Sequence, residues 1–263
     1  MKSKFACGHV CMWASLYVGI LAFLISGCFP TSTLTPFVSA TPTATETPTP
    51  TMVWFPATET PTSAPTVIPS PTPELRPGVG TVLFSDNFEL PTDWTLIETE
   101  TGSISVANNE ITAALSRDKG FIYSVREGAL FTNFYAEITA SPNLCSGLDE
   151  YGMLVRYQSP GNFYRYSLSC NGQVRLDRVV GGTASSPQPW MGTTSVPSAA
   201  PSSSRLGVWA VGKEMRFFVN DQHQFTITDT ALPSGAMGVF VRSGGDSAVT
   251  VSFSDLVVYN IEQ

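Results

Sequence analysis

Residues 78–263 are predicted to form an all-β protein, folded as a single antiparallel β-sandwich. Short runs rich in Val, Ile, Phe and Tyr, in which apolar and polar residues alternate, recur between Gly, Asn, Pro and Ser residues. No stretch of this region shows the apolar stripe of an amphipathic helix. About 186 residues of closely spaced strands are enough to bury a substantial core between two sheets.

The alternation predicts strands near 81–85, 94–98, 103–107, 110–115, 120–125, 133–140, 151–158, 163–170, 173–180, 205–211, 214–219, 222–228, 236–242 and 248–259. Asn220-Asp221 lies between two of these runs and predicts a tight hairpin turn, because both residue types tolerate positive φ. Residues 181–204 are rich in Ser, Pro and Gly, and they predict a long loop around Trp190.

The first 27 residues are organised like an export signal. Two lysines form a positive n-region, and residues 14–25 form an apolar h-region that is shorter than the roughly 20 residues of a bilayer span. The segment closes with ISGC, residues 25–28, which resembles a bacterial lipobox. In that family of signals the chain is cut before the Cys and the thiol is diacylated, so the resemblance implies a lipid anchor on Cys28. The alternatives are a plain secretory peptide and an uncleaved membrane anchor.

The segment 28–77 is predicted to be this lipidated Cys followed by a disordered Thr/Pro-rich stalk. Residues 31–77 contain 14 Thr and 11 Pro among 47 residues, and no Gly. Such a composition cannot bury a core, and its prolines favour extended polyproline II. The chain is therefore divided into a signal peptide (1–27), a tethering segment (28–77) and a β-sandwich (78–263).

The charge of the chain excludes some classes of partner. The formal net charge is −7, and removal of the first 27 residues takes away two lysines and no acid, which leaves about −9. A nucleic-acid-binding protein needs a basic footprint, and a polybasic contact with anionic lipid needs one as well. We therefore expect no nucleic acid as a partner and no attachment to lipid through basic residues.

Two cysteines remain in the predicted sandwich, Cys145 and Cys170. An even pair in an exported protein predicts a disulfide. The strands 133–140, 151–158 and 163–170 are expected to be consecutive antiparallel neighbours, which would bring both cysteines to the same end of one sheet.

Two long stretches carry a family resemblance. YGMLVRYQSPGNFYRYSLSCNGQVRL resembles the central three strands of a bacterial laminin-G-like domain, and RLGVWAVGKEMRFFVNDQHQFTITDTALPSGAMGVFVRS resembles the strands that follow. FSDNF and VSFSDLVVY resemble the terminal strands of that family. The family belongs to the concanavalin A-like lectin/glucanase superfamily, near the domain called 3-keto-disaccharide hydrolase. The resemblance implies a jelly-roll sandwich, a fold that hosts lectins, glucanases and non-catalytic modules alike.

The sequence offers little for catalysis. A Ser-His-Asp site needs a histidine, and only His223 remains in the predicted mature chain, just past a turn. No G-x-S-x-G motif occurs. The E-x-D-x-E and E-x-D-x-x-E patterns of family 16 glucanases are also missing from the sequence. Asp149 and Glu150 are adjacent, so they would point to opposite faces of a strand, and we expect this pair to cap a loop.

Binding is the better-supported hypothesis. Three apolar residues of 151–158, Met153, Val155 and Tyr157, are expected to face the core, so that Arg156 faces outward. Candidate ligand-binding residues on this outward face are Arg156, Phe163, Arg165, Arg175 and Asp177, together with Trp190 in the long loop. Guanidinium groups, a carboxylate and aromatic rings suit sugar hydroxyls or carboxylates. The alternative is a solvated sheet face with cross-strand charge pairs, to which the tryptophan merely fastens the loop.

The resemblance also implies a structural calcium ion, because the superfamily often carries one and calcium prefers oxygen ligands. Asp86 and Asp255 lie in the two predicted terminal strands, which this fold places side by side. The alternative role for both carboxylates is turn and edge capping. No other cofactor is expected.

These observations together predict a cell-surface lipoprotein that displays a non-catalytic, carbohydrate- or ligand-binding β-sandwich. Its expected location is the bacterial cell envelope, anchored by lipid outside the cytoplasmic membrane, with a glycan or envelope polysaccharide as partner. The alternatives are a glycoside-cleaving enzyme of the 3-keto-disaccharide hydrolase type and a structural or protein-interaction module.

Overall fold

The computed structural model describes residues 73–116, 119–245 and 247–262. They form two sheets in which every strand pairing is antiparallel. The predicted all-β sandwich is therefore confirmed. The only helical element in these ranges is a single 3₁₀ turn, Pro91–Asp93, and no helix among them has the length and apolar character needed to cross a membrane.

The strands of the described chain are β1 (Val79–Asp86), β2 (Ile97–Glu98), β3 (Gly102–Ala107), β4 (Glu110–Leu115), β5 (Phe121–Val125), β6 (Phe134–Leu144), β7 (Glu150–Ser159), β8 (Asn162–Ser169), β9 (Gln173–Val180), β10 (Thr183–Gly192), β11 (Ser204–Val211), β12 (Glu214–Val219), β13 (Gln222–Thr228), β14 (Ala236–Arg242) and β15 (Val249–Ile261).

The two sheets differ in size. The larger has nine strands, in the order β13-β12-β11-β6-β15-β4-β3-β2, and β1 pairs with β15 beside this path. The smaller has six strands, in the order β10-β9-β8-β7-β14-β5. The main hydrophobic core lies between the sheets and includes side chains from both. Strand β8 illustrates the period of two, because Tyr164, Tyr166 and Leu168 are fully buried in that core while the residues between them point outward.

The predicted hairpin turn between β12 and β13 is present. Asn220 and Asp221 have φ values of 49° and 63°, the left-handed conformation that a two-residue hairpin turn requires at both positions. The predicted pairing of the first and last strands is present as well, since β1 and β15 run antiparallel.

The predicted loop 181–204 is wrong over its first half, because residues 183–192 form β10. This strand lies at the edge of the six-stranded sheet and pairs with β9 through two register shifts. Pro187 and Pro189 lack the N–H group that a central strand would need, but an edge strand with bulges tolerates them. The two prolines therefore indicated an edge rather than a loop.

The expected pairing of β6 with β7 is also wrong. Strand β6 pairs with β11 and β15 in the larger sheet, whereas β7 and β8 lie in the smaller one. Cys145 and Cys170 form the predicted disulfide, with Cα atoms 5.9 Å apart. Because Cys145 follows β6 and Cys170 follows β8, the bond joins the two sheets at one end instead of bridging neighbours within one sheet.

The chain enters the sandwich across the larger sheet. Residues 75–77, called the strap here, lie at the end of the segment predicted to be linker. The Trp209 indole Nε1 donates to the Pro77 carbonyl at 3.0 Å, and Arg216 Nη1 donates to the Leu75 carbonyl at 3.0 Å. The predicted signal peptide, Cys28 and the stalk up to residue 72 lie outside the described residues.

Candidate functional site

Most of the candidate side chains meet on one surface of the sandwich. We call it the front face, meaning the outer face of the six-stranded sheet, away from the core. Its side chains are Phe121, Tyr123, Glu150, Leu154, Tyr157, Phe163, Arg165, Ser167, Arg175, Asp177, Ser186, Trp190, Phe240 and Arg242. Strands β7, β8 and β9 are consecutive neighbours, as expected, so Arg165 lies directly opposite Asp177.

Five charged side chains form one network in the front face, called the charge cluster. Arg165 Nη2 lies 2.5 Å from Asp177 Oδ2, and Arg175 Nη2 lies 2.7 Å from the same oxygen. Arg175 Nη2 also lies 3.1 Å from Glu150 Oε2. Arg242 Nη1 completes the network at 2.7 Å from Glu150 Oε1. Three arginines therefore surround two carboxylates, which leaves a local excess of one positive charge.

The carboxylates of the charge cluster are covered, but one of its arginines is not. The side chains of Glu150 and Asp177 are each only 4% exposed, whereas that of Arg242 is 42% exposed. The second oxygen of Asp177 accepts from the Ser186 hydroxyl at 2.6 Å. Solvent and ligands therefore meet guanidinium groups first on this part of the front face.

The predicted candidate Trp190 reaches the charge cluster from the edge strand β10. The guanidinium carbon of Arg175 lies 4.5 Å from the Trp190 ring centroid, which is a cation–π geometry. The indole is partly exposed. It therefore forms an aromatic rim beside the arginines.

An aromatic cluster fills the other half of the front face. Its members are Phe121, Tyr123, Tyr157, Phe163 and Phe240, which pack with Val125, Leu154, Val179 and Ala236. Tyr157 and Phe163 stack with ring centroids 5.9 Å apart, and the Tyr123 and Tyr157 hydroxyls lie 3.4 Å from each other. Burial, and then the hydrogen bond between the Tyr157 and Tyr123 hydroxyls, raise the pKa of Tyr157 well above its ordinary value. The Tyr157 phenol therefore stays protonated at physiological pH.

Arg165 connects the two halves of the front face. Its guanidinium carbon lies 5.4 Å from the Phe121 ring centroid and 5.7 Å from that of Phe240. The charge cluster and the aromatic cluster are therefore one continuous surface, with planar apolar rings beside planar charged groups.

Arg156 does not belong to this surface, so its predicted outward position is wrong. Its side chain is fully buried. Between Leu154 and Tyr157, strand β7 has one residue more than the facing stretch of β14, and Arg156 has φ 51°. This β-bulge breaks the alternation. Arg156 turns inward beside Val155, and Tyr157, predicted for the core, joins the aromatic cluster outside.

The buried guanidinium of Arg156 holds three loops by hydrogen bonds. Nη1 donates to the Leu232 carbonyl at 3.1 Å, and Nη2 donates to the Thr132 and Gly212 carbonyls at 3.2 and 2.8 Å. Burial lowers the pKa of Arg156. Because its acceptors are three backbone carbonyls of the same chain, this residue has a structural role.

Sequence reasoning missed several members of the front face. Glu150, predicted to cap a loop together with Asp149, is the first residue of β7, in alternation with Leu154. That alternation could have identified Glu150, had the predicted strand 151–158 begun one residue earlier. Arg242 lies on β14 and Phe121 on β5. These strands are far from β7 in the sequence and lie beside it only because of the order of strands in the sheet. No local pattern indicates that order.

The surroundings of His223 and Asp149, the two residues considered for catalysis, are as follows. His223 Nε2 lies 2.9 Å from the Thr226 hydroxyl and has no carboxylate partner among the described residues. Asp149 caps its loop as expected, since its carboxylate accepts from the Ser146 and Gly244 backbone N–H groups at 2.9 and 3.0 Å.

The carboxylate proposed for calcium has other partners. Asp86 accepts from the Trp94 indole at 3.0 Å and from the Phe88 N–H at 2.8 Å, and Arg126 lies 3.4 Å away. Asp255 sits in a bulge of β15 and accepts from the neighbouring Ser254 hydroxyl. The hydrogen-bond donors and the positively charged guanidinium around Asp86 do not favour a cation there. Among the described residues no group of three or more acidic, His or Cys side chains could hold a metal ion, so the calcium expectation remains a prediction.

The outer face of the nine-stranded sheet, called the back face, has a comparable composition. Tyr135, Trp209, Phe218 and Ile261 form an apolar cluster there, packed against Leu75 of the strap. The strap residue Arg76 lies 2.9 Å from Asp221 and donates to the Tyr135 hydroxyl at 3.0 Å. A depression of about 580 Å³ remains beside it. Here the chain itself occupies the arginine-and-aromatic surface.

Comparison with known proteins establishes the fold but no family. No protein-family model and no curated protein matches the chain. Among solved structures, the carbohydrate-binding module CBM66 from Bacillus subtilis superposes with a TM-score of 0.53 at 16% identity, covering 64% of this chain and 96% of the module.

Two further structures share the sandwich. A protein of unknown function with a galectin-like fold, also from Bacillus subtilis, has a TM-score of 0.54 at 12% identity, covering 70% of this chain and 99% of its own. The catalytic domain of an endo-1,3-beta-glucanase (laminarinase) from Thermotoga petrophila has a TM-score of 0.51 at 12% identity, covering 70% and 98%. The predicted concanavalin A-like jelly roll is therefore confirmed as the fold class. At such low identity the similarity concerns the fold alone.

Proposed function

We propose that this protein binds carbohydrate on the front face of its sandwich and does not cleave it. The observation that carries the proposal is the continuity of the charge cluster with the aromatic cluster through Arg165. Sugars present hydroxyl groups at their edges and C–H groups on their faces. Guanidinium donors suit the former and aromatic rings the latter. The fold supports the proposal, because it is shared with a carbohydrate-binding module and with a glucanase domain.

We further propose that the sandwich is displayed outside a bacterial cytoplasmic membrane, anchored by a diacylated Cys28. The ISGC motif supports the anchor, and two acyl chains meet the requirement for stable attachment. The Cys145–Cys170 bond suits an oxidising compartment. Metabolic labelling with a fatty-acid analogue tests the anchor. We expect labelling of the natural chain and none of Cys28→Ser, and normal labelling or processing of that variant would contradict the anchor.

One observation favours glycoside hydrolysis as a second candidate function. The carboxylates of Glu150 and Asp177 both contact Arg175 Nη2, at 3.1 and 2.7 Å, so they lie close to one another. Retaining glycosidases use two carboxyl groups about 5 Å apart. Against this function, both carboxylates are ion-paired and only 4% exposed, which keeps a glycosidic bond from reaching either one.

Binding to a glycan array tests the main proposal, with the purified full-length protein in detergent. We expect binding to at least one class of glycan, and we expect Trp190→Ala to weaken it at least tenfold, as loss of one stacking ring would. The control is Trp209→Phe on the back face, which should bind normally. Absence of binding to every glycan would contradict the proposal. Release of reducing sugar that disappears in Glu150→Gln would favour the hydrolase instead.

A further inference from the structure

The charge cluster presents hydrogen-bond donors outward and keeps its carboxylate acceptors covered. Each of its four carboxylate oxygens already accepts from an arginine or from Ser186, at 2.5 to 3.1 Å. The accessible charged groups are guanidinium groups, above all that of Arg242.

A neutral sugar is not the best match for such a surface. Each sugar hydroxyl both donates and accepts, so a neutral sugar is bound well when acceptors as well as donors are open to it. Carboxylates that are 4% exposed and already ion-paired leave little acceptor surface open to a ligand. An anionic group needs donors only, and it would balance the excess positive charge of the cluster.

We propose that the ligand of the front face is an acidic glycan, whose carboxylate or sulfate group binds at Arg242 and Arg175 while its sugar ring packs on Trp190. This inference rests on the proposed carbohydrate function and specifies its substrate class. The position of the indole supports it, because the Trp190 ring lies directly over the Arg175 guanidinium. An anion at that arginine would place the attached ring against the indole.

Glu150 distinguishes this proposal from ordinary recognition of a neutral sugar. In a neutral-sugar site, the buried carboxylate would be the acceptor for ligand hydroxyls, and its removal would abolish binding. In an acidic-glycan site, Glu150 competes with the ligand for Arg175 and Arg242, which it contacts at 3.1 and 2.7 Å. Glu150→Gln would therefore release donors to an anionic ligand.

The experiment compares matched ligands by titration calorimetry with the full-length protein in detergent. The probes are uronic-acid and sialic-acid oligosaccharides, each paired with its carboxyl-reduced form, and sulfated oligosaccharides paired with desulfated forms. We expect at least one acidic member to bind about tenfold more tightly than its neutral partner, and its affinity to fall with added salt. Whether the carboxylated or the sulfated pairs show the preference identifies the anionic group.

Three variants complete the test. Arg242→Gln should remove most of the acidic preference, and Glu150→Gln should preserve or strengthen it. Arg205→Gln is the control, because Arg205 is an exposed arginine that pairs with Asp221 on the back face. Thermal unfolding of each variant verifies folding, and Asp177→Asn replaces Glu150→Gln if the latter does not fold.

The outcomes separate the two proposals. Equal or tighter binding of the neutral partners, or loss of binding in Glu150→Gln with the fold intact, would overturn the acidic-glycan inference and leave carbohydrate binding in place. Absence of binding to every probe, together with a blank glycan array, would overturn both.

Discussion

The front and back faces of the sandwich are built from the same kinds of side chain but serve different purposes. Each carries arginines beside aromatic rings, with Arg175 over Trp190 in front and Arg216 over Trp209 behind, both at 4.5 Å. On the back face, the strap covers this surface and uses its hydrogen bonds. On the front face, the partners of the charge cluster are side chains of the six-stranded sheet itself.

The comparison shows that composition alone does not identify a binding site. Arginine, carboxylate and aromatic groups fasten a segment of the same chain as readily as they bind an external ligand. The distinguishing feature is whether a segment of the same chain occupies the surface. Leu75 of the strap packs on the back-face rings and its carbonyl accepts from Arg216, whereas the groups that contact Arg175 in front are side chains of the sheet itself.

The largest expected effect concerns Arg156, the arginine predicted for the front face and found between the sheets. Arg156→Ala should lower the free energy of unfolding by about 3–5 kcal/mol, because three backbone carbonyls lose a charged donor and the fully buried side chain leaves a cavity. Urea denaturation measures the change. Arg242→Gln on the exposed rim is the comparison and should change stability by less than about 0.5 kcal/mol. Similar losses in the two variants would contradict the distinction between interior and face.

An intermediate effect is expected from two matched tryptophan substitutions. Trp209→Phe should cost about 1–2 kcal/mol, because the Pro77 carbonyl loses its donor and a small void forms. It should also speed hydrogen exchange in β1 without changing glycan binding. Trp190→Phe should do the reverse, weakening binding while leaving the unfolding midpoint nearly unchanged. Loss of binding in Trp209→Phe with the fold intact would show that the back face contributes to the site.

The smallest effect is the pH dependence of the strap contact. Burial raises the pKa of Asp221, but hydrogen bonds and charge from Arg76 and Arg205 outweigh it, so its pKa lies below the ordinary 3.8. A carboxyl with a lowered folded-state pKa contributes its full stability above the unfolded pKa and loses it as pH falls through the folded pKa. Urea midpoints measured from about pH 6 to about pH 2 should therefore fall less steeply in Asp221→Asn. Identical slopes would contradict a role for this pair, and added salt should shrink the difference.

Local periodicity was sufficient to predict most strands, since alternation in β8 and β9 correctly placed Arg165, Asp177 and Phe163 on one face. It was also sufficient for the β12–β13 turn, because Asn and Asp adopt positive φ readily. These features depend only on residues close together in sequence.

The incorrect predictions depend on the relation of distant strands. The bulge at Arg156 arises because β7 has one residue more than the stretch of β14 that it pairs with. The sequence of β7 alone does not indicate it. The Pro-containing segment of β10 forms a strand because it pairs with β9. Strand order alone places β6 and β7 in different sheets. It also places Arg242 beside Glu150. Alternation determines which residues share a face of a strand, but not which strands share a sheet.

The strap also determines how a pulling force would enter the molecule. Tension on the chain that precedes it would act first on the Trp209 and Arg216 contacts, and then on the ladder between β1 and β15. All of these belong to the nine-stranded sheet. The hydrogen-bonded ladder of the six-stranded sheet would receive the force indirectly, through the core, the connecting loops and the Cys145–Cys170 bond. The front face would thus keep its shape under a load that could peel the strap away.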